Sequence, residues 1–263
     1  MPAGPRDPVA EFATLVAGGD PPLDRALALV AATGRPAVDP DDVVDRLDGL
    51  AARGLAGGPG ALCAALFGPD GLQGNRSDYY DPANSLLDLV LSRRRGIPIT
   101  LSVIAMEVGR RVGAPLVGVG MPGHFLVRDG TDPADFFDPF DGGRPLDRDG
   151  CRRAFESLHG GATPFEEQFL EPTGAADIVV RVLNNLRAAH LRAGDRSGLL
   201  NALRLQAVLP GAGVAERRQL AGVLSAEGRF VEASELYDGL VHSDPARAED
   251  HRAAAVRLRA NLN

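Results

Sequence analysis

The chain has 263 residues, of which 44% are hydrophobic and 24% are charged, so it is long enough for one large globular domain or two smaller ones. Its formal net charge is −7, and all 28 cationic side chains are arginines, which argues against the broad basic surface of a nucleic-acid-binding protein. The two cysteines, Cys63 and Cys151, are too few for a disulfide framework or a cysteine-rich metal site.

Two further classes are disfavoured by the sequence. The first residues, MPAGPRDPVAEF, contain no uninterrupted apolar core of signal-peptide length, and no apolar stretch approaches the roughly 20 residues that would span a membrane. We therefore expect a cytoplasmic protein without a membrane partner. The five histidines occur singly, and no pair has metal-ligand spacing on one face, so the sequence predicts neither a metal nor another cofactor.

Short helices are predicted over the first 70 residues. In DPDDVVDRLDGLAARG, apolar residues recur at helical spacing behind a run of aspartates that suits a helix N-terminus. The Pro-Gly cluster GLAGGPG then predicts a break, and ALCAALFG predicts a further short helix. Because Cys63 lies in that apolar helix, we interpret it as a small core residue.

The next stretch, GLQGNRSDYYDPANSLLDLVLSRRRGIPIT, begins with turn residues and predicts a helix that starts at Asn84 and Ser85. A second helix is predicted to begin at or just after Pro98, a residue suited to the first helical position, and to end at Gly113. From Ala114 the pattern alternates, and APLVGVGM, GHFLVRD and DFFDPF predict three short strands. After the turn-rich DGGRPLDRDG, a helix is expected near Cys151, and helices followed by strands indicate an α+β fold.

The C-terminal part predicts helices only. The segment GGATPFEEQFLEPTGA has the composition of a linker, so the sequence divides into domains at 1–160 and 175–263. Gly194 and Gly228 are 34 residues apart, which is the period of tetratricopeptide helix pairs. Ala233, Tyr237 and Pro245 fall at the small, aromatic and proline positions of that motif. An unrelated tail of four or five helices is the alternative.

One histidine and one aspartate form a candidate site. His124 in GMPGHFLVR and Asp138 in FFDPFDGG are 14 residues apart, on strands that we expect to be neighbours. An imidazole oriented by a carboxylate is the arrangement of a general base. The alternative is a buried histidine that ties two strands together.

The run YYDPANSLLDLVLSRRRGIPITLSVIAMEVGRRVGAPLVGVGMPGHFLVR, followed by DPFDGG, resembles the SirB-type family of transglutaminase-like proteins. The resemblance is dense over residues 72–151 and looser over nearly all the rest of the chain. It implies a papain/transglutaminase-like core of helices and a small antiparallel sheet, followed by an all-helical tetratricopeptide-like tail. It also implies that His124 and Asp138 are retained partners of a Cys-His-Asp triad, but it implies no known reaction.

The resemblance places the triad cysteine within the segment GIP, at the start of the second predicted helix, where this chain has Pro98. Thr100 and Ser102 are nearby, but an unactivated hydroxyl is a far poorer nucleophile than a thiolate, so we expect both to cap the helix or line a pocket. Cys63 or Cys151 would reach His124 only through contacts that the sequence does not reveal.

A polar and aromatic cluster precedes this helix. Asn75, Tyr79, Tyr80 and Asn84, together with Thr100 and Ser102, are candidates for lining a peptide groove. The segment DPANS is equally suited to forming a turn and a helix cap.

Three functions follow from these patterns. The preferred one is a pseudoenzyme or scaffold that binds an unknown peptide or protein. The second is an active amidase, peptidase or acyl transferase that uses His124 and Asp138. The third is a helical-repeat adaptor with a vestigial cleft. We expect no nucleic-acid partner, and a homo-oligomer is compatible with the short helical stack.

Overall fold

The computed structural model describes residues 6–53, 57–160 and 163–262. These residues form twelve α-helices. They are α1 Pro8–Val16, α2 Leu23–Ala32, α3 Pro40–Ala51, α4 Gly58–Phe67, α5 Leu87–Arg93, α6 Pro98–Val112, α7 Arg148–His159, α8 Ala175–Ala193, α9 Arg196–Ala207, α10 Val214–Ala226, α11 Phe230–Ser243 and α12 Ala248–Ala260. The predicted α+β class, with helices around a small sheet and a helical C-terminal part, is confirmed. Parts of the predicted break GLAGGPG and of the predicted linker, residues 54–56 and 161–162, lie outside the described residues.

The same residues form six short strands. They are β1 Gln73–Gly74, β2 Arg95–Gly96, β3 Leu116–Val119, β4 Leu126–Asp129, β5 Phe136–Asp138 and β6 Arg144–Leu146. Strands β3 to β6 form an antiparallel sheet in chain order, and β1 pairs with β2 in parallel. The three predicted strands are present, but the sequence prediction missed β6 by assigning its residues to a turn. Pro145 in β6 is tolerated because this strand lies at the sheet edge.

Helix α6 lies at the centre of the main core. It begins at Pro98 and is closed by Gly113, which has a φ of 74°, as the sequence predicted. One face of the sheet, with Val127 and Phe137, joins the core around α6. The other face, with Leu126 and Phe136, packs against Cys151 and Phe155 of α7 in a second cluster. Alternate strand residues therefore tie the sheet to α6 on one side and α7 on the other.

The C-terminal helices begin inside the main core. Ile178, Val182 and Leu186 of α8 are buried in it, and α9 contributes to it as well. The remaining apolar faces of α9 to α12 form a third cluster. The predicted linker is attached to the sheet edge, because the Thr173 N–H donates to the Gly118 carbonyl at 2.8 Å. The division into domains 1–160 and 175–263 stays a prediction. None of the helices in the described part of the chain has the length and apolarity needed to cross a membrane.

Candidate functional site

His124 and Asp138 are hydrogen-bonded, with 2.8 Å between His124 Nε2 and Asp138 Oδ2. Only 10% of the histidine side chain and 6% of the aspartate side chain are exposed. The second carboxylate oxygen, Oδ1, accepts the backbone N–H groups of Phe140 at 3.0 Å and Asp141 at 3.2 Å. Asp138 therefore ends β5, caps the short 3₁₀ turn that follows and fixes the imidazole ring.

A tight turn positions His124. The prediction that His124 lies on a strand is wrong, because β4 begins only at Leu126. The His124 N–H donates to the Met121 carbonyl at 3.0 Å, and Gly123 has a φ of 75°. Pro122 and Gly123 thus occupy the two central positions of a type II turn, where proline fixes the first residue and glycine supplies the positive φ.

Two side chains hold this turn from outside. Arg181 of α8 donates to the carbonyls of Met121 at 3.3 Å and His124 at 3.1 Å, and its guanidinium lies 5.1 Å from the centre of the Phe125 ring. His159 at the end of α7 has its Nε2 atom 3.1 Å from the Pro122 carbonyl. The position of His124 therefore depends on both α7 and α8.

The hydrogen bond to Asp138 fixes the tautomer of His124. A carboxylate only accepts, so Nε2 carries the proton and Nδ1 is left as an acceptor or a base. Nδ1 makes no hydrogen bond to any described residue, whereas Nε2 is occupied. This is the geometry of an imidazole oriented to receive a proton.

The pair lies in a cavity of about 740 Å³. The lining residues come from the loop after β1, the start of α6, the turn before β4, the segment from β5 to β6 and α7. They are Arg76, Tyr79, Tyr80, Pro98, Gly123, His124, Asp138, Phe140, Asp141, Arg144, Leu146, Gly150, Arg153, Ala154, Ser157 and Leu158. Pro98, which occupies the position where the resemblance places a cysteine, thus lies in the same cavity as His124 and Asp138.

The two predicted hydroxyl candidates lie elsewhere. Thr100 and Ser102 are fully buried and are absent from the cavity lining. The Thr100 hydroxyl donates to the Asn84 carbonyl at 2.7 Å and accepts the Ile97 N–H at 3.2 Å. The Ser102 hydroxyl is 3.5 Å from the Phe125 carbonyl. Thr100 therefore satisfies backbone groups at the start of α6, while Ser102 joins α6 to the segment that leads into β4.

Both thiols are fully buried, and neither lines the cavity. Burial raises the pKa of Cys63 to about 12. Burial, with the negative charges of Asp147 and Asp138, raises the pKa of Cys151 to about 12 as well. Both are protonated thiols near neutral pH, and the interpretation of Cys63 as a core residue is confirmed.

The predicted polar and aromatic cluster divides into a buried and an exposed part. Asn75 and Asn84 are buried and hydrogen-bonded to each other at 2.9 Å, and Asn84 also donates to the carbonyls of Asp78 and Tyr79. Tyr79 and Tyr80 remain 38% and 54% exposed and line the cavity. The two asparagines thus shape the loop that presents the two tyrosines.

Several residues that line the cavity were not predicted from the sequence. Gly150, Arg153, Ala154, Ser157 and Leu158 repeat at spacings of three and four, which is the signature of one helix face. This spacing could have predicted the helix face from the sequence. It could not have predicted that the face borders the cavity, because that depends on how α7 packs against the sheet. Within the described residues, no group of three His, Cys, Asp or Glu side chains is arranged to hold a metal ion.

Comparison with known proteins gives a consistent family. The transglutaminase-like superfamily model matches residues 48–184. A UPF0162 protein of Pseudomonas aeruginosa is 31% identical over 227 residues, which cover 82% of this chain and 83% of that protein. No solved structure matches the chain significantly.

Two other relatives match over shorter lengths. A UPF0162 protein of Xylella fastidiosa strain 9a5c is 46% identical over 129 residues, or 48% of this chain and 46% of the relative. The chain therefore spans about half the length of that relative. F-box only protein 21 of Mus musculus is 46% identical over 82 residues, which are 30% of this chain and 13% of that protein.

Proposed function

The chain belongs to the transglutaminase-like superfamily, and on that premise we propose that it is a non-catalytic member whose cavity binds a segment of peptide or protein. One observation carries the proposal: Pro98, the first residue of α6, lines the cavity that contains the His124–Asp138 pair. A proline side chain has no nucleophilic atom. The imidazole then serves as a hydrogen-bonding group for a ligand.

The position of the two thiols supports the same function. A cysteine nucleophile needs a partly exposed thiolate in an electropositive environment. Cys63 and Cys151 are buried, and the pKa of each is raised to about 12. For Cys151 the negative charge of Asp138 adds to this rise, so the residue that orients His124 also opposes thiolate formation.

The surface of the cavity favours a peptide over a small polar metabolite. Tyr79 and Tyr80 project from one loop, and their rings meet edge to face at 5.3 Å. Tyr79 also contacts the Phe140 ring at 5.9 Å, and Phe140 borders the His124 ring at 6.2 Å. Exposed tyrosines combine apolar contact area with a hydroxyl and are enriched at protein interfaces. Asn75 and Asn84 would support this loop through their mutual hydrogen bond, and Thr100 through its hydrogen bond to the Asn84 carbonyl.

Thiol alkylation tests the absence of cysteine catalysis. A pKa near 12, against an ordinary value of 9.0, lowers the thiolate population roughly a thousandfold near neutral pH. Native protein treated with iodoacetamide, with each cysteine read by mass spectrometry, should stay unmodified until it is unfolded in guanidinium. The His124→Ala variant should give the same slow rates. A thiol that reacts quickly in the native protein and slows in His124→Ala would falsify the proposal.

Peptide retention tests the binding function. The full chain is immobilised and exposed to a synthetic library of N-acetylated, C-amidated peptides with four randomised residues between Gly-Ser flanks. Retained peptides are sequenced by mass spectrometry. We expect retention by the wild type and about tenfold less by Tyr80→Ala, since aromatic residues dominate such interfaces. The matched control Val256→Ala, which also removes an exposed apolar side chain but lies on α12, should retain peptides normally.

An active amidase, peptidase or acyl transferase is the second candidate, favoured by the unpaired Nδ1 atom of His124 within the described residues. Its test uses the same library, with glutamine-containing peptides followed for deamidation or cleavage. The non-catalytic proposal expects no turnover. Turnover that disappears in His124→Ala would establish the second candidate instead.

A helical-repeat adaptor is the third candidate, and the helices α9 to α12 with their own apolar cluster are the observation in its favour. In that case Tyr80→Ala would bind normally and a charge reversal on the C-terminal helices, such as Arg218→Glu, would abolish binding. For all three candidate functions, we also propose that these helices are tetratricopeptide-like and that the chain is a member of the SirB-type group. The domains 1–160 and 175–263, a cytoplasmic location and a homo-oligomer are proposed in the same way.

A further inference from the structure

Helix α7 forms one long side of the cavity. Its lining residues run from Gly150 to Leu158 along a single face, with Arg153, Ala154 and Ser157 between them. At 1.5 Å per residue this face is about 12 Å long. An extended chain advances about 3.3 Å per residue, so the face matches about four residues of an extended peptide.

The charges in the cavity are unequal. Asp138 is held by His124, which leaves Asp141 as the other carboxylate among the described lining residues. Three arginines, Arg76, Arg144 and Arg153, line the same cavity. The cavity therefore carries an excess of positive charge on a chain whose net charge is −7.

These arginines are incompletely paired. Arg76 and Arg144 share the single carboxylate of Asp141, at 2.8 and 3.1 Å. The nearest carboxylate of a described residue to Arg153 is Asp147 at 3.8 Å, beyond hydrogen-bond distance, with both side chains at least 70% exposed. A guanidinium presents its donors in a planar fork that fits a carboxylate. Arg153 is thus positioned to donate hydrogen bonds to a carboxylate of a ligand.

Apolar side chains border the same charges. Eight large apolar side chains are exposed in the described part of the chain, and three of them, Tyr79, Tyr80 and Leu158, line the cavity. Leu158 lies on α7 about one and a half turns beyond Arg153. A ligand that meets both residues needs an acidic and an apolar group a few residues apart.

We propose that the cavity selects an extended peptide segment of about four residues with an acidic side chain against Arg153 and an apolar side chain near Tyr80 and Leu158. This inference rests on the proposed function, because it names the ligand class of the same cavity. Arg153 would recognise the acidic group through its charge and its hydrogen-bond geometry. The apolar group would be recognised because it buries apolar area against the side chains of Tyr80 and Leu158.

The randomised library tests the inference with two variants. Wild-type protein should enrich Asp or Glu at one randomised position, with an apolar residue nearby. Arg153→Glu should lose that enrichment by about tenfold or more, because like charges would then face each other across the interface. Arg257→Glu on α12, which makes the same charge change on an exposed arginine outside the cavity, should keep it. Circular dichroism melts would show that both variants are folded.

The possible failures are distinct. Peptides retained without any acidic preference, or with a preference that Arg153→Glu leaves unchanged, would overturn this inference and leave the binding proposal standing. If the wild type retains no peptides, both are overturned.

Discussion

Helix α6 connects two buried polar clusters of different construction. At its C-terminal end, Arg111 donates to Asp24 at 2.7 Å, to Glu107 at 2.8 Å and to Asp48. Its side chain is 11% exposed and has a carboxylate partner at each of its nitrogens. At the N-terminal end, the His124–Asp138 pair is equally buried, but His124 Nδ1 has no partner among the described residues.

The difference separates a stabilising cluster from a candidate site. Around Arg111 opposite charges are paired and join α2, α3 and α6, and none of these residues lines the cavity that contains His124. At the other end, an unoccupied acceptor lies in a cavity large enough for a ligand. An oriented ionisable group in a cleft is a functional candidate, whereas a closed network is a structural one.

The largest effect on stability is expected from removing Arg111 from the cluster at the C-terminal end of α6. Arg111→Met would leave the buried carboxylates of Asp24 and Glu107 with the exposed Arg110 as their one cationic partner among the described residues, so the free energy of unfolding should fall by about 3 to 5 kcal/mol. Urea denaturation followed by circular dichroism measures this. Arg110→Met is the control, because that side chain is 62% exposed and should cost less than about 1 kcal/mol. Equal losses in the two variants would show that the cluster does not depend on Arg111.

A smaller effect on stability is expected from changing the His124–Asp138 pair at the N-terminal end of α6. Asp138→Ala removes the acceptor of two backbone N–H groups and of the imidazole, so it should lower the free energy of unfolding by about 2 to 3 kcal/mol. His124→Ala breaks only one of these hydrogen bonds and should cost about 1 kcal/mol. The same urea titration compares them. A larger loss for His124→Ala would mean that the imidazole is mainly a structural residue, as the alternative reading of the sequence holds.

Local sequence patterns were sufficient to predict the ends of α6 and three of the strands. Pro98 and Gly113 mark both ends of α6, because proline suits the first turn and glycine adopts the positive φ that ends a helix. The alternation from Ala114 onward gave three strands. Strand β6 was missed because the Gly and Pro residues in DGGRPLDRDG are typical of turns, and its pairing with the neighbouring strand β5 is what defines it as a strand.

The site was less readable than the fold. The spacing of His124 and Asp138 and the family resemblance pointed to a pair that the structure joins at 2.8 Å. Arg144 and Arg153 enter the cavity only when β6 closes the sheet and α7 packs across it. The helical spacing marks the face that carries Arg153, but it does not indicate what that face borders. The polar groups of Asn84 and Thr100 are paired with neighbouring loop and helix atoms, which agrees with the turn and helix-cap alternatives that the sequence left open for them.

A still smaller effect concerns acid stability. Burial alone would raise the pKa of Asp24, but hydrogen bonds from Arg111 and the Arg25 N–H, with the charges of both Arg111 and Arg110, lower it below the ordinary value of 3.8. The unfolded state then binds a proton more readily than the folded state. The contribution of Asp24 is therefore fully present above its ordinary pKa and is lost as the pH falls through the lowered folded value.

Urea titrations at a series of pH values below about pH 5 test this dependence. Wild-type stability should decline on acidification, and Asp24→Asn, which is less stable at neutral pH, should show a shallower decline. Asp20→Asn, which changes an exposed aspartate in the same part of the chain, should follow the wild type. Parallel curves for wild type and Asp24→Asn would show that Asp24 does not titrate differently on folding.

The smallest effect concerns the tyrosine loop at the cavity. The Arg192 guanidinium of α8 lies 4.5 Å from the centre of the Tyr80 ring, and this exposed contact is worth about 0.5 to 1 kcal/mol. Arg192→Ala should leave the free energy of unfolding nearly unchanged but speed hydrogen exchange in residues 77–81, because the loop loses the contact between Tyr80 and Arg192. Arg187 lies on the same helix but donates a hydrogen bond to Gln219 and not to the tyrosine loop, so Arg187→Ala should leave that exchange unchanged. If the two variants exchange alike, the contact between Arg192 and Tyr80 does not hold this loop, and its other contacts, such as those of Asn75 and Asn84, are sufficient.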